Sequence, residues 1–290
     1  METYESEGED MKLAVAVAGE NALPSAFVVW RGFENSIRKA SEYGYDGIEL
    51  ALKSAEDIKV EDLSKWLDRW GIEVSCISTG QVFAASGLYF THPKQEVRDE
   101  AVRVFKGLIN LAKDFGKIVN VGRVRGFIDV NQGFDLAQKL FIDTTERVCD
   151  EAEKYGVELI IEPVNRYEAN FINNLDEGAE LISKLKRKNL GLMPDIFHMN
   201  IEDNRISESL VRNSKHIKYV HLADSNRLAP GQGHIDFQEI FDVLYKINFD
   251  GWSSIEILPK PNADIAARQA VQFILPMIKE YNKKLKGGGL

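Results

Sequence analysis

The chain has 290 residues, 44% of them hydrophobic and 28% charged, with a net charge of −9. That is ordinary globular composition with length enough for a large core, and its acidic balance excludes a nucleic-acid surface, which needs a basic face. No apolar run reaches membrane-spanning length, and two cysteines, Cys76 and Cys149, are too few for a thiolate cluster or a disulfide framework; they read as small buried side chains of a reduced, cytoplasmic protein.

The acidic start METYESEGED lacks the basic and apolar regions of a signal peptide and reads as a disordered tail over residues 1–10, or as an extension ahead of Met11. The first strand is expected at 12–17, followed by a helix at 33–43, a strand at 46–50 and a helix at 61–70. Strands at 73–78 and 117–121 flank a long helix at 93–115. A helix at 133–155 leads to a strand at 157–161, and a helix at 175–186 to a strand at 190–193. A helix at 206–213, a strand at 216–220, a helix at 237–247, a strand at 252–257 and a helix at 263–281 complete the pattern, and residues 284–290 read as a flexible tail. Glycines stop the helices at Gly44, Gly71, Gly116 and Gly156, as C-terminal helix caps do. Eight strand–helix alternations without a GxGxxG or Walker A loop predict a single-domain (β/α)8 barrel over residues 11–283.

In such a barrel the chemistry sits at the C-terminal ends of the strands. The fifth strand ends in Glu162, the sixth near Asp195, the seventh at His221, and the eighth carries Glu256. After His221 comes a polar, Pro- and Gly-rich loop with Asp224, Arg227 and His234. One acid at a strand end is usually a surface group or half of an ion pair. Three carboxylates crowded at one mouth repel one another and are costly to desolvate, and a divalent cation is the simplest compensation. Three oxygens and one imidazole suit Mn²⁺ best, with Mg²⁺ or Co²⁺ as alternatives, and leave positions for substrate oxygens.

The strings EPVNRYE (162–168), DIFHMN (195–200), HLADSNRLAPGQG (221–233) and IEIL (255–258) resemble the xylose-isomerase-like sugar isomerases, and among them the ketose 3-epimerases of the tagatose and psicose (allulose) type. The resemblance covers the second half of the barrel, in order. It implies that Glu162, Asp195, His221 and Glu256 are metal ligands and that Glu162 and Glu256 are also the acid/base pair. It further implies that His198 and Arg227 hold substrate oxygens and that Glu168 is another polar contact; His198 also reads as a buried structural histidine. The implied reaction inverts the carbon next to a carbonyl through a metal-stabilised enediolate, with one glutamate on each face. The family implies a homo-oligomer, dimer or tetramer, acting on a small keto sugar.

Arg123 and Arg125, in VGRVRGF after the fourth strand, are either solvated loop charges or a clamp for a carboxylate, since arginine suits bidentate carboxylate capture. The second reading makes the substrate a keto-hexonic acid of the 5-keto-L-gluconate or tagaturonate type, in place of a neutral ketose such as tagatose, fructose or psicose. Alternatives on the same scaffold are a hydroxypyruvate-isomerase-like or inosose-dehydratase-like enzyme and a non-catalytic sugar-binding barrel. An endonuclease IV-like site would need more than the five histidines present.

Overall fold

The alternation in the first strand, β1 (Lys12–Ala18), sets the plan of the molecule. Leu13, Val15 and Val17 join the large core between sheet and helices. Ala16 and Ala18 take the other face and pack with Val28 and Ala51, small side chains where the strands converge. The computed structural model describes residues 10–23 and 26–287.

The remaining barrel strands are β2 (Gly47–Ala51), β3 (Glu73–Ser78), β4 (Ile118–Val121), β5 (Glu158–Ile161), β6 (Leu190–Leu192), β7 (Tyr219–Leu222) and β8 (Trp252–Ile255). They run parallel in the order β6-β5-β4-β3-β2-β1-β8-β7, and a two-residue piece, Trp30–Arg31, adds to β1. Between β6 and β7 the joint is made by the bridges Leu192–Ile217 and Asp195–His221, with Lys218 and His221 N–H donating to the Leu192 and Pro194 carbonyls at 3.0 and 2.9 Å. The expected (β/α)8 barrel is therefore the observed one.

The helices are α1 (Phe33–Tyr43), α2 (Val60–Trp70), α3 (Gly80–Ser86), α4 (Gln95–Ala112), α5 (Phe134–Lys154), α6 (Leu175–Leu185), α7 (Ile196–Glu202), α8 (Ile206–Arg212), α9 (Phe237–Lys246) and α10 (Ala263–Gly287). The short α3 and α7 lie in the loops above the strands and were not expected from the pattern. Helix α7 starts because the Asp195 side chain accepts the Phe197 and His198 N–H groups, an N-cap that offsets the orphan donors of a helix start. The seventh strand lies at Tyr219–Leu222, later than the expected 216–220, because Ser214–His216 forms a 3₁₀ turn. Helix α10 runs on through Gly287, into the span read as a tail; Lys284 pairs with Glu280 at 2.9 Å and Lys286 with Asp10 at 2.5 Å. The rest of the tail expected over residues 1–10, and residues 288–290, lie outside the described residues. Among the described residues no helix is long and apolar enough to cross a membrane.

Candidate active site

β7 reads YVHL, and its two-residue period sends Tyr219 and His221 into the barrel. His221 Nε2 meets Glu49 Oε2 of β2 at 2.9 Å, and the Tyr219 hydroxyl donates to the same oxygen at 3.1 Å. A bulge positions the next member: Ile48 pairs with Val74 but Glu49 pairs with Cys76, leaving Ser75 between. The Ser75 hydroxyl lies 2.7 Å from the Tyr219 hydroxyl and donates to the Ile48 carbonyl. All of these side chains are buried. With Nε2–H committed to Glu49, Nδ1 is the imidazole nitrogen left to face the mouth.

That Nδ1 is buried without a hydrogen-bond partner among the described residues. It looks onto Glu162 Oε1 at 3.3 Å and onto Asp195 Oδ2 and Glu256 Oε2, each at 3.5 Å. One ligand atom from each of Glu162, Asp195, His221 and Glu256 lies within 4.8 Å of the others. Glu162 and Glu256 directly follow β5 and β8, and Asp195 follows β6 through Met193–Pro194. Asp195 divides its oxygens: Oδ1 caps α7 and Oδ2 faces the cluster.

Arg227 closes the arrangement. Its Nη1 donates to Asp195 Oδ2 at 2.5 Å and its Nη2 to Glu256. The guanidinium lies between the rings of Phe27 and Phe197, 5.0 and 4.9 Å from their centroids, a stacking that favours the cation. Its backbone is left-handed, φ 61°, a conformation that costs a non-glycine residue about 1–3 kcal/mol. The loop enforces it: Asp224 accepts the N–H groups of Ser225, Gly231 and Ile235, and a Cβ on Gly233 would sit 2.2 Å from Asp224 Oδ1. Asp224 is thus the organiser of the loop. His234 lies at its rim, 2.9 Å from the Ser225 hydroxyl.

The surroundings set different proton affinities for the carboxylates. Burial raises that of Glu162, but His221 and His198 outweigh it and hold the group below its ordinary range. Asp195 is likewise low, where burial is overcome by Arg227, His198 and His221. Glu256 is pushed up to about 8 by burial and by the nearby Glu162 and Asp195, against Arg227 and His221. Burial opposes charge on His221, but Glu49, Glu256, Asp195 and Glu162 raise it well above the ordinary imidazole value.

His198 is 3% exposed and lines the mouth pocket with Arg227, Glu168, Arg123 and both glutamates. Its Nδ1 lies 2.7 Å from the Asn165 side-chain nitrogen and faces the Asn165 backbone N–H at 3.4 Å. Nδ1 is therefore the acceptor and Nε2 carries the proton. Burial, then Arg227, keep this histidine low and hence neutral. Glu168 is held by the Asn165 side chain at 3.2 Å.

The two arginines of the fourth loop part company. Arg123 lines the pocket, stacked over Phe83 at 5.3 Å. Arg125 is fully buried away from it, donating to the carbonyls of Phe171, Gly122 and Glu162 at 2.8, 3.2 and 3.0 Å. It is neither the solvated charge nor the carboxylate clamp that the sequence suggested; it ties the β4 loop to β5. Glu49, Asn120, whose side chain donates to Glu162 Oε2 at 3.1 Å, and Asn165 were not singled out. Glu49 and Asn120 carried one signal, a polar side chain in an otherwise apolar strand.

Residues 37–277 match the family model described as the xylose isomerase-like TIM barrel. The ketose 3-epimerase of Arthrobacter globiformis is 27% identical over 223 residues, 76% of this chain and 75% of that one. The L-ribulose 3-epimerase of Mesorhizobium japonicum is 30% identical over 223 residues, 74% of this chain and 72% of that one. Among solved structures, an L-ribulose 3-epimerase superposes with a TM-score of 0.81 at 23% identity, over 97% of this chain and 98% of the other. A D-psicose 3-epimerase determined in the presence of D-fructose gives 0.80 at 21% identity, over 92% and 99%. At such identities the solved structures speak for the fold.

Proposed function

Because the chain belongs to the xylose isomerase-like TIM barrel family, we propose that it is a divalent-metal-dependent epimerase inverting the carbon next to the carbonyl of a keto sugar. The observation that carries this reading is the pair Glu162 and Glu256, two carboxylates that enter one donor cluster from the ends of different strands, β5 and β8. Inversion needs a base on one face of a carbon and an acid on the other, and two carboxylates reaching the cluster from different strands supply them. Glu162 removes the proton. Glu256 carries the proton delivered to the opposite face, and the reverse reaction exchanges the roles.

The donor set fits a hard divalent cation: three carboxylates converge on an imidazole nitrogen that has no hydrogen-bond partner among the described residues. Glu162, Asp195, His221 and Glu256 would hold the ion, and Mn²⁺ is our assignment. When bound it supplies positive charge that polarises the substrate carbonyl and acidifies the adjacent C–H. His198 offers its Nε2–H to a substrate oxygen, and Arg227 offers a charge-assisted donor once the cation takes over its carboxylates. Glu168 makes a further polar contact. Arg123 is the cation placed to take a carboxylate, so an acidic keto-hexonate and a neutral ketose are separated by its contribution. A homo-oligomer is supported by the exposed Val130, Phe134 and Leu136 around the start of α5, and a cytoplasmic setting by two buried free cysteines.

The test is to incubate metal-loaded protein with ketohexoses and keto-hexonates in deuterated water and follow products by NMR. The expected product is the epimer carrying solvent deuterium at the inverted carbon. A complete absence of exchange and of epimer across the panel overturns the reading.

A further inference from the structure

The pocket over the carboxylates is small, about 60 Å³. A second cavity of about 740 Å³ lies beside it, between α1, α2 and the loop after β1. Ala51 and Gln81 line both, so the two spaces adjoin at that pair. The larger one falls within the range of small-molecule sites, whereas the smaller cannot enclose a ligand beyond its reacting end.

Its lining is distinctive. Trp66 and Trp70, half-buried on α2, contribute aromatic surface, which packs against the C–H face of a sugar while leaving its hydroxyls free to bond elsewhere. Among the described residues the lining charges balance: Glu20, Glu34 and Asp57 against Arg38, Lys53 and Arg69. The cations are engaged, Lys53 with Asp57 at 3.5 Å, Arg38 with Glu42 at 2.5 Å, and Arg69 over the Trp70 ring at 4.8 Å. A balanced, hydrogen-bonding, aromatic cavity suits a neutral polyhydroxylated group better than an anion.

We infer that this cavity is a second carbohydrate subsite and that the substrate is an extended keto sugar, whose reacting unit sits over Glu162 and Glu256 while a neutral glycosyl substituent passes Ala51 and Gln81 to rest on the tryptophans. The inference rests on the epimerase reading and specifies the class of its substrate. It is independent of what Arg123 holds at the mouth.

The experiment compares a free ketohexose with neutral disaccharides in which a glucosyl unit is joined to O4, O5 or O6 of the same ketose. Two variants accompany the wild type. Trp66→Ala removes the platform. Asn35→Trp places bulk in the cavity from an exposed lining position without removing a core side chain. At least one linkage is expected to exceed the free ketose in kcat/KM by about tenfold or more, the scale of one well-placed aromatic contact. Both variants should erase that excess and leave the free ketose within about twofold. Calorimetric titration with the disaccharides reads the subsite apart from turnover: binding present in the wild type and lost in Asn35→Trp supports it even without epimerisation, a result that would count against the epimerase reading alone. No linkage bound or turned over better than the free ketose, or an advantage that survives both variants, overturns the subsite.

Discussion

Glu49 fixes His221: the carboxylate oxygen lies 2.9 Å from Nε2, both side chains are fully buried, and Tyr219 braces the same oxygen. This contact decides which imidazole nitrogen faces the three carboxylates. Glu49→Ala should weaken Mn²⁺ binding by about 10–100-fold, the usual cost of losing a partner that orients a metal-ligating histidine, while Glu49→Gln retains an acceptor and loses less. Calorimetric titration with Mn²⁺ checks this. Equal affinity in all three proteins would show that Glu49 only fills the barrel.

The two glutamates should fail alike in rate. Glu162→Gln and Glu256→Gln keep the size and one oxygen donor but cannot take up or deliver a proton. Each should lower kcat by at least about 10²–10⁴-fold. Metal content, measured on the same samples, separates loss of proton transfer from loss of the ion. A variant that keeps near-normal turnover with metal bound would refute the paired role.

Arg123 and Arg125 should separate into binding and stability. Arg125→Ala leaves the buried Phe171 and Glu162 carbonyls without their donor, at about 1–3 kcal/mol for each unsatisfied group, while the Gly122 carbonyl keeps the backbone N–H of residue 125. Urea unfolding should show the loss with any substrate. Arg123→Ala should leave the fold intact and raise KM for keto-hexonates by about ten- to a hundredfold, with little effect on neutral ketoses, as loss of a charge-assisted bond predicts. Equal losses on acidic and neutral substrates would make Arg123 a packing residue and remove the case for an acid.

In chelator-treated protein, stability should fall as pH rises from about 5 to 8 through Glu256. Burial, aided by Glu162 and Asp195, raises its carboxyl to about 8, so across that window the native state binds a proton that the unfolded chain has released, and the folded form loses ground. Asp195 has the opposite sign: its value is lowered in the fold, and its contribution is present above the unfolded value and lost as pH falls below it. The melting temperature of Glu256→Gln relative to wild type should therefore climb from pH 5 to pH 8. Calorimetric scans check this, and a constant difference would show that Glu256 is not held protonated. Chelation should also abolish turnover and Mn²⁺ restore it.

The eight strands and the convergence of Glu162, Asp195, His221 and Glu256 were legible because each of these residues ends or closely follows an apolar run, and the barrel directs those ends to one place. Glu49 was not, since a lone carboxylate in DGIEL has no partner visible in one dimension; its partner lies on the seventh strand. Asn120 was hidden for the same reason. Asp195 carries a second role that its sequence context does not announce: it caps α7 with one oxygen and faces the cluster with the other. VGRVRGF gives no direction to tell Arg123 from Arg125. They lie on a 3₁₀ turn, where each residue advances the side chain by about a third of a circle. Residues two apart therefore diverge, one toward the pocket and one into the wall.

The joint between β6 and β7 rests on the bridges Leu192–Ile217 and Asp195–His221, where β1 and β2 share a five-pair ladder. The second of these bridges is made by two of the four cluster residues. A cation gripped from both sides would act as a clasp on this joint, so that the hoop is drawn tight by the same act that arms it. Removing the ion should be felt first as faster amide exchange at Lys218 and His221, whose N–H groups cross that gap, while the ladder from β1 to β2 keeps its protection.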